Sequence, residues 1–181
     1  MKKRLFIAIE LPQEIKEKLK IATDNRLRIV IQQNLHITFL FLGYVEEKRL
    51  EEIKKKIWEV SQNGNSFKLK LEKIIYAPPK STYKMIWALF EKNAEYAKLN
   101  QLLAETLKEF KPDIYKDQLI HITLARSKKP LSNKDIEEIK LPVVEAEDFP
   151  VEKIVLFESV LQRSGPIYTK LAEFPLRYIQ E

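Results

Sequence analysis

Two stretches of this chain, NLHITFLFLG (residues 34–43) and LIHITLARS (residues 119–127), carry the same tripeptide H-I-T, and together they hold both of its histidines. Each copy occupies the same place in a repeated run of elements. In the first half RLFIAIE (4–10) reads as a strand and QEIKEKLKIATDNRL (13–27) as a helix opened by Pro12, after which the H-I-T strand comes. EEKRLEEIKKKIWEV (46–60) sets Leu50, Ile53, Ile57 and Trp58 along one stripe, the pattern of an amphipathic helix, and FKLKLEKIIYA (67–77) starts as an alternating strand. The second half runs the same way: strand YKMIWALF (83–90), helix NAEYAKLNQLLAETLKEF (93–110), the second H-I-T strand, and SNKDIEEIK (132–140), a helix capped by Ser132. EKIVLF (152–157) then echoes EKIIYA (72–77), and PIYTKLAEFPL supplies a closing strand. Two β-α-β-α-β halves predict an α+β, bilobal fold with pseudo-symmetric halves, each an antiparallel sheet with flanking helices, and a cleft between them. The expected organisation is a single domain over 1–181, with halves at about 1–80 and 81–181.

Side chains alternate along a strand, so His36 and Thr38 share one face while Ile37 and Phe39 take the other. The same holds for His121 and Thr123 against Ile122 and Leu124. Each strand thus offers an imidazole and a hydroxyl about 6 to 7 Å apart, backed by apolar anchors. A lone histidine in an apolar strand is ordinarily a hydrogen-bonded core residue. Two accidental H-I-T copies are a matter of odds on the order of one in 10⁵, which favours a paired role. If the two faces oppose each other, two imidazoles and two hydroxyls surround one point. That set suits displacement at phosphorus, which needs a base on the attacking side, an acid on the leaving side and donors to the remaining oxygens. Histidine, with an ordinary pKa near 6.5, can fill either role.

Composition removes other schemes. The chain has no cysteine, which excludes a disulfide framework, a thiolate zinc site and a cysteine nucleophile, and which fits a reducing, cytoplasmic setting. Three scattered glycines cannot build a P-loop or a G-x-G-x-x-G turn, and no G-x-S-x-G elbow or H-E-x-x-H pair occurs. No metal and no cofactor is expected. The apolar run in MKKRLFIAIELP stops at Glu10, too short for a signal segment, and nothing approaches a membrane span. The net charge of +6, from 32 basic and 26 acidic residues, reads first as a solvated surface. KKR (2–4), KKK (54–56) and KLK (68–70) are the candidate phosphate contacts if it is more than that.

RLFIAIELP, NLHITFLFLG, HITLAR and VLFESVLQRSGPIYTKLAEFPL, taken together, resemble the two-histidine phosphoesterase superfamily over nearly the whole chain, closest to its RNA 2′,3′-cyclic phosphodiesterase branch, historically called 2′-5′ RNA ligase. The resemblance implies opening of a terminal 2′,3′-cyclic phosphate by water to a 2′-phosphomonoester. His36 would be the proton donor to the departing 3′ oxygen, His121 the proton acceptor that activates water, and Thr38 and Thr123 the phosphate holders. It also implies RNA ends as partners, tRNA fragments among them, and a monomer. The sequence departs from the family in RIVIQQN, where a tryptophan and a proline often precede the first histidine, and in Ile120, where proline often precedes the second. The residues alone leave open which imidazole does which job.

Arg126 is a further phosphate-binding candidate, because a guanidinium there would neutralise developing charge. Strict alternation puts it on the face opposite His121, where a surface ion pair is its expected use unless the strand bulges first. Tyr44, Tyr83 and Trp87 are candidates to stack on a base, with core packing the alternative for Trp87. Two rival functions share the cleft: a non-catalytic module that binds RNA ends, and ATP-independent 2′-5′ joining by reversal of the same reaction.

Overall fold

A computed structural model of the chain describes residues 1–79, 82–113, 119–163 and 165–178. Its nine strands and four α-helices, among the described residues, run β1 (Lys2–Glu10), α1 (Gln13–Lys18), β2 (Leu27–Ile29), β3 (His36–Glu46), α2 (Leu50–Asn63), β4 (Phe67–Ala77), β5 (Met85–Phe90), α3 (Ala94–Thr106), β6 (His121–Ser127), α4 (Asn133–Glu138), β7 (Asp148–Val151), β8 (Lys153–Gln162) and β9 (Gly165–Pro175). They form two sheets, one ordered β3-β1-β8-β9 and the other β2-β6-β5-β4-β7, and every pairing is antiparallel. The predicted α+β class and the two sheets are therefore present.

The sheets do not follow the sequence halves at 1–80 and 81–181. β4, from the first half, pairs with β5, and β8, from the second half, pairs with β1. EKIIYA and EKIVLF are thus equivalent strands that each half lends to the other's sheet. Local pattern predicts a strand well but carries no information about its partner, so the exchange is invisible to periodicity. Its consequence is mechanical: neither sheet can be completed by one half alone. β1 shows why the central positions are so apolar. Leu5 to Ile9 are all buried, because β1 lies between β3 and β8 with both faces covered.

Two helices differ from expectation, one in its extent and one in the side it turns inward. The helix expected over 13–27 ends at Lys18, and Asp24 organises the turn that leads into β2. Its carboxylate accepts from the Arg26 backbone N–H at 2.9 Å and from the Arg26 guanidinium, an Asx-type turn that starts β2 instead of prolonging a helix. In α2 the inward face is Ile53, Ile57, Val60 and Ser61, while Trp58, expected in the stripe, is turned outward. Ser132 caps α4 as expected: its hydroxyl accepts from the Asp135 N–H, and the Asp135 carboxylate accepts in return from the Ser132 N–H.

One continuous apolar core joins the pieces. Ile37, Phe39 and Leu40 from β3 and Ile122, Leu124 and Ala125 from β6 all enter it. Tyr96 of α3 stacks on Phe39 at 4.6 Å and donates its hydroxyl to the Thr38 carbonyl at 2.9 Å. Burial keeps that phenol protonated and so a permanent donor. The helix layer thereby fixes β3 at the residue that carries the first hydroxyl.

Candidate active site

His36 is the first residue of β3 and His121 the first of β6. The two rings are held by one local device. Nδ1–H of His36 donates to the Asn34 carbonyl at 2.7 Å, and Nδ1–H of His121 donates to the Leu119 carbonyl at 2.8 Å. With Nδ1 carrying that proton, Nε2 is left as the nitrogen that titrates in both rings. Asn34 does a second job: its Nδ2 donates to the Pro166 carbonyl at 2.8 Å, tying the turn ahead of His36 to the β8–β9 hairpin.

Aromatic walls fix the ring planes. His36 sits 4.9 Å from Phe6 and takes the edge of Tyr168 at 5.2 Å, and His121 stacks on Trp87 at 3.9 Å. Trp87 is therefore half-buried in the site wall instead of being core packing. Tyr44 is exposed away from the site and Tyr83 packs on Tyr76, so neither joins it.

All four H-x-T side chains, His36, Thr38, His121 and Thr123, line one cavity of about 800 Å³ between the two sheets. Alternation accounts for these four and no more. Both strands, however, bulge one residue past the threonine. Opposite β1, Leu40 pairs with Ile7 and Thr38 with Ala8, which leaves Phe39 over; opposite β5, Ala125 pairs with Ile86 and Thr123 with Trp87, which leaves Leu124 over. An extra residue reverses the phase of the strand beyond it. Phe41 and Arg126, each at the same distance past its histidine, therefore return to the cavity. Among the described residues no carboxylate pairs with Arg126, whose Nη1 donates to Met85 Sδ at 3.0 Å, so the expected surface ion pair gives way to a cation in the site. The symmetry breaks at this position: one strand presents an aromatic ring, the other a guanidinium.

Electrostatics follow from burial. Desolvation pushes His36 down to about 4 despite its carbonyl partner, with His121, Arg126 and Lys16 adding repulsion. His121 is lowered for the same leading reason, with Arg126 contributing. Both rings are neutral at pH 7 in the ligand-free protein. Burial raises the Tyr168 phenol, so it stays protonated beside His36.

Other expected contacts fall elsewhere. From the basic triplets, Lys3 pairs with Glu158 at 2.8 Å, Lys54 with Glu51 at 2.7 Å, Lys56 with Glu109 at 3.1 Å and Lys70 with Glu91 at 2.8 Å, and none of these lines the cavity. Among the described residues, the cations that line it are Arg28 and Arg126. Asn34, Arg28, Phe41 and Tyr168 were not singled out by sequence reasoning; the shared interval between histidine and Phe41 or Arg126 was the one available signal. Among the described residues no group of three or more acidic or histidine side chains is placed to hold a metal ion.

A family model for LigT-like phosphoesterases matches residues 9–87 and 92–168, one segment for each H-x-T strand. The chain belongs to the LigT-like phosphoesterase family. Among relatives in this family, a protein of Archaeoglobus fulgidus named RNA 2′,3′-cyclic phosphodiesterase is 31% identical over 180 residues, covering 94% of this chain and 99% of that protein. A Methanocaldococcus jannaschii protein of the same name is 29% identical with the same coverage. The crystal structure of TT0787 of Thermus thermophilus superposes with a TM-score of 0.82 at 27% identity, covering 98% of this chain and all of that one. Escherichia coli LigT complexed with NADP+ shares the LigT-like fold, with a TM-score of 0.77 at 24% identity over 97% of this chain and 99% of that one.

Proposed function

We propose that the chain is an RNA 2′,3′-cyclic phosphodiesterase that works by metal-independent acid and base catalysis with two histidines. The observation that carries this reading is the convergence of His36, Thr38, His121 and Thr123 from separate sheets on one cavity. Relatives named for the same activity over nearly their whole length support it. In the reaction, His121 Nε2 accepts a proton from water as the water oxygen bonds to phosphorus. The bond from phosphorus to the 3′ oxygen breaks, and His36 Nε2–H gives that oxygen its proton, leaving a 2′-phosphomonoester. The Thr38 and Thr123 hydroxyls donate to the non-bridging oxygens, and Arg126 balances the charge that builds on them.

Burial makes His36 the harder ring to charge in the free protein. An anionic substrate closing the cavity reverses this, because a nearby negative charge stabilises the imidazolium. The acid is thus armed by the substrate itself. Residues 1–181 act as one bilobal phosphodiesterase domain, a cytoplasmic monomer whose partners are RNA ends such as those of cleaved tRNA. Incubating an RNA that ends in a 2′,3′-cyclic phosphate with the protein in EDTA is expected to give a terminal 2′-phosphate. Loss of turnover in chelator would contradict the metal-free mechanism, and a 3′-phosphate product would contradict the assigned leaving group.

A further inference from the structure

Arg28 and Arg126 stand directly opposite each other on β2 and β6, and both reach the cavity. Like charges facing across a strand pair destabilise it, and an anion held between or above them would relieve that cost. Among the described residues neither guanidinium is met by a carboxylate. Arg28 is also positioned from the other sheet. Gly165, at the start of β9 with φ of +135°, lies so close that a Cβ there would stand 2.8 Å from Arg28 Nη2. The glycine leaves room for the guanidinium to lie against the hairpin that borders the cavity.

The two cations are not equivalent with respect to the imidazoles. Arg126 bears on both rings, while Arg28, one strand further out at the sheet edge, is not among the charges that depress either. We infer that Arg28 forms a second phosphate subsite, which takes the phosphodiester on the 5′ side of the terminal nucleoside. This rests on the phosphodiesterase reading and narrows its substrate class. The cavity would discriminate in favour of RNA ends carrying at least one further phosphate, over a bare nucleoside cyclic phosphate. The binding energy would come from a charge-assisted, bidentate contact of the kind arginine makes with phosphate.

The test compares a nucleoside 2′,3′-cyclic phosphate with and without a 5′-phosphate, in wild type, Arg28→Ala and Arg28→Lys. In wild type the 5′-phosphate should raise kcat/KM about tenfold or more, mostly through KM. In Arg28→Ala that gain should shrink to less than about threefold, and Arg28→Lys should keep part of it. The advantage should also weaken with added salt in wild type more than in Arg28→Ala. A wild type that turns over both substrates with no 5′-phosphate advantage, or an Arg28→Ala that retains the full advantage, overturns the second subsite alone. A wild type that turns over neither nucleotide yet opens an RNA 2′,3′-cyclic phosphate end also overturns the subsite, and one inert on the RNA end as well overturns the phosphodiesterase reading beneath it.

Discussion

His121→Ala should lower kcat on an RNA 2′,3′-cyclic phosphate end by at least about 100-fold, and His36→Ala should do the same, while product binding survives in each. The expectation follows from what each ring can offer. Nδ1 is committed to a backbone carbonyl in both, so Nε2 is the one exchangeable site for a proton on each side of the cavity. Alanine removes that site without touching the carbonyl, the threonine or the bulge that places Arg126. The two losses should be strongly non-additive, since a displacement that lacks its base gains little from retaining its acid. Steady-state kinetics on the two single variants and the double variant would measure this. Turnover within a few-fold of wild type in either single variant would remove that ring from the chemistry. Circular dichroism would separate the result from unfolding, because the Trp87 and Phe6 packing lost with each ring is a local matter.

Acidification should cost the fold about 2 to 3 kcal/mol between pH 7 and pH 4.5 through His36 alone. The folded ring is pushed down to about 4 by burial, whereas an unfolded histidine titrates near 6.5. Within that window the unfolded chain binds a proton that the folded ring refuses, so stability falls as pH drops from 6.5 towards 4 and is present in full above 6.5. His121, also lowered, acts in the same direction. Urea unfolding at the two pH values, in wild type and in His36→Gln, isolates the contribution: the variant should show a markedly smaller fall. An equal fall in both proteins would mean that the ring is not desolvated as described. The same displacement has a kinetic face. kcat/KM, which reports the free protein, should bend at lower pH than kcat, because bound substrate raises both rings.

Much of the arrangement was legible because it is local. The H-x-T faces, the Ser132 cap and most strand positions depend on neighbours within a few residues, and period two or the capping pattern reports them directly. What escaped depends on pairing. The exchange of β4 and β8 between sheets, and the three-residue β2 that brings Arg28 beside Arg126, are statements about partners far along the chain. The bulge at Leu124 is the instructive case. Sequence left Arg126 on the wrong face unless the strand slipped, and nothing in HITLAR itself says that it does; the slip is set by how β5 lays Ile86 and Trp87 against Ala125 and Thr123. Tyr168 lies in a segment whose letters suggest only a closing strand. It reaches His36 because β9 folds back along β8, and β8 lies against β1. The basic triplets failed for another reason: charge density along the sequence does not reveal which lysines already face a carboxylate.

The mechanism stands on both imidazoles addressing a single phosphorus. Histidine labelled with ¹⁵N allows a direct reading of each Nε2 during titration with a nucleoside 2′-monophosphate. Both Nε2 signals should move along one saturation curve, with the pKa of each ring rising in the complex. A single responding ring, or two rings that saturate at different ligand concentrations, would place the histidines in separate sites and contradict the shared-phosphate mechanism.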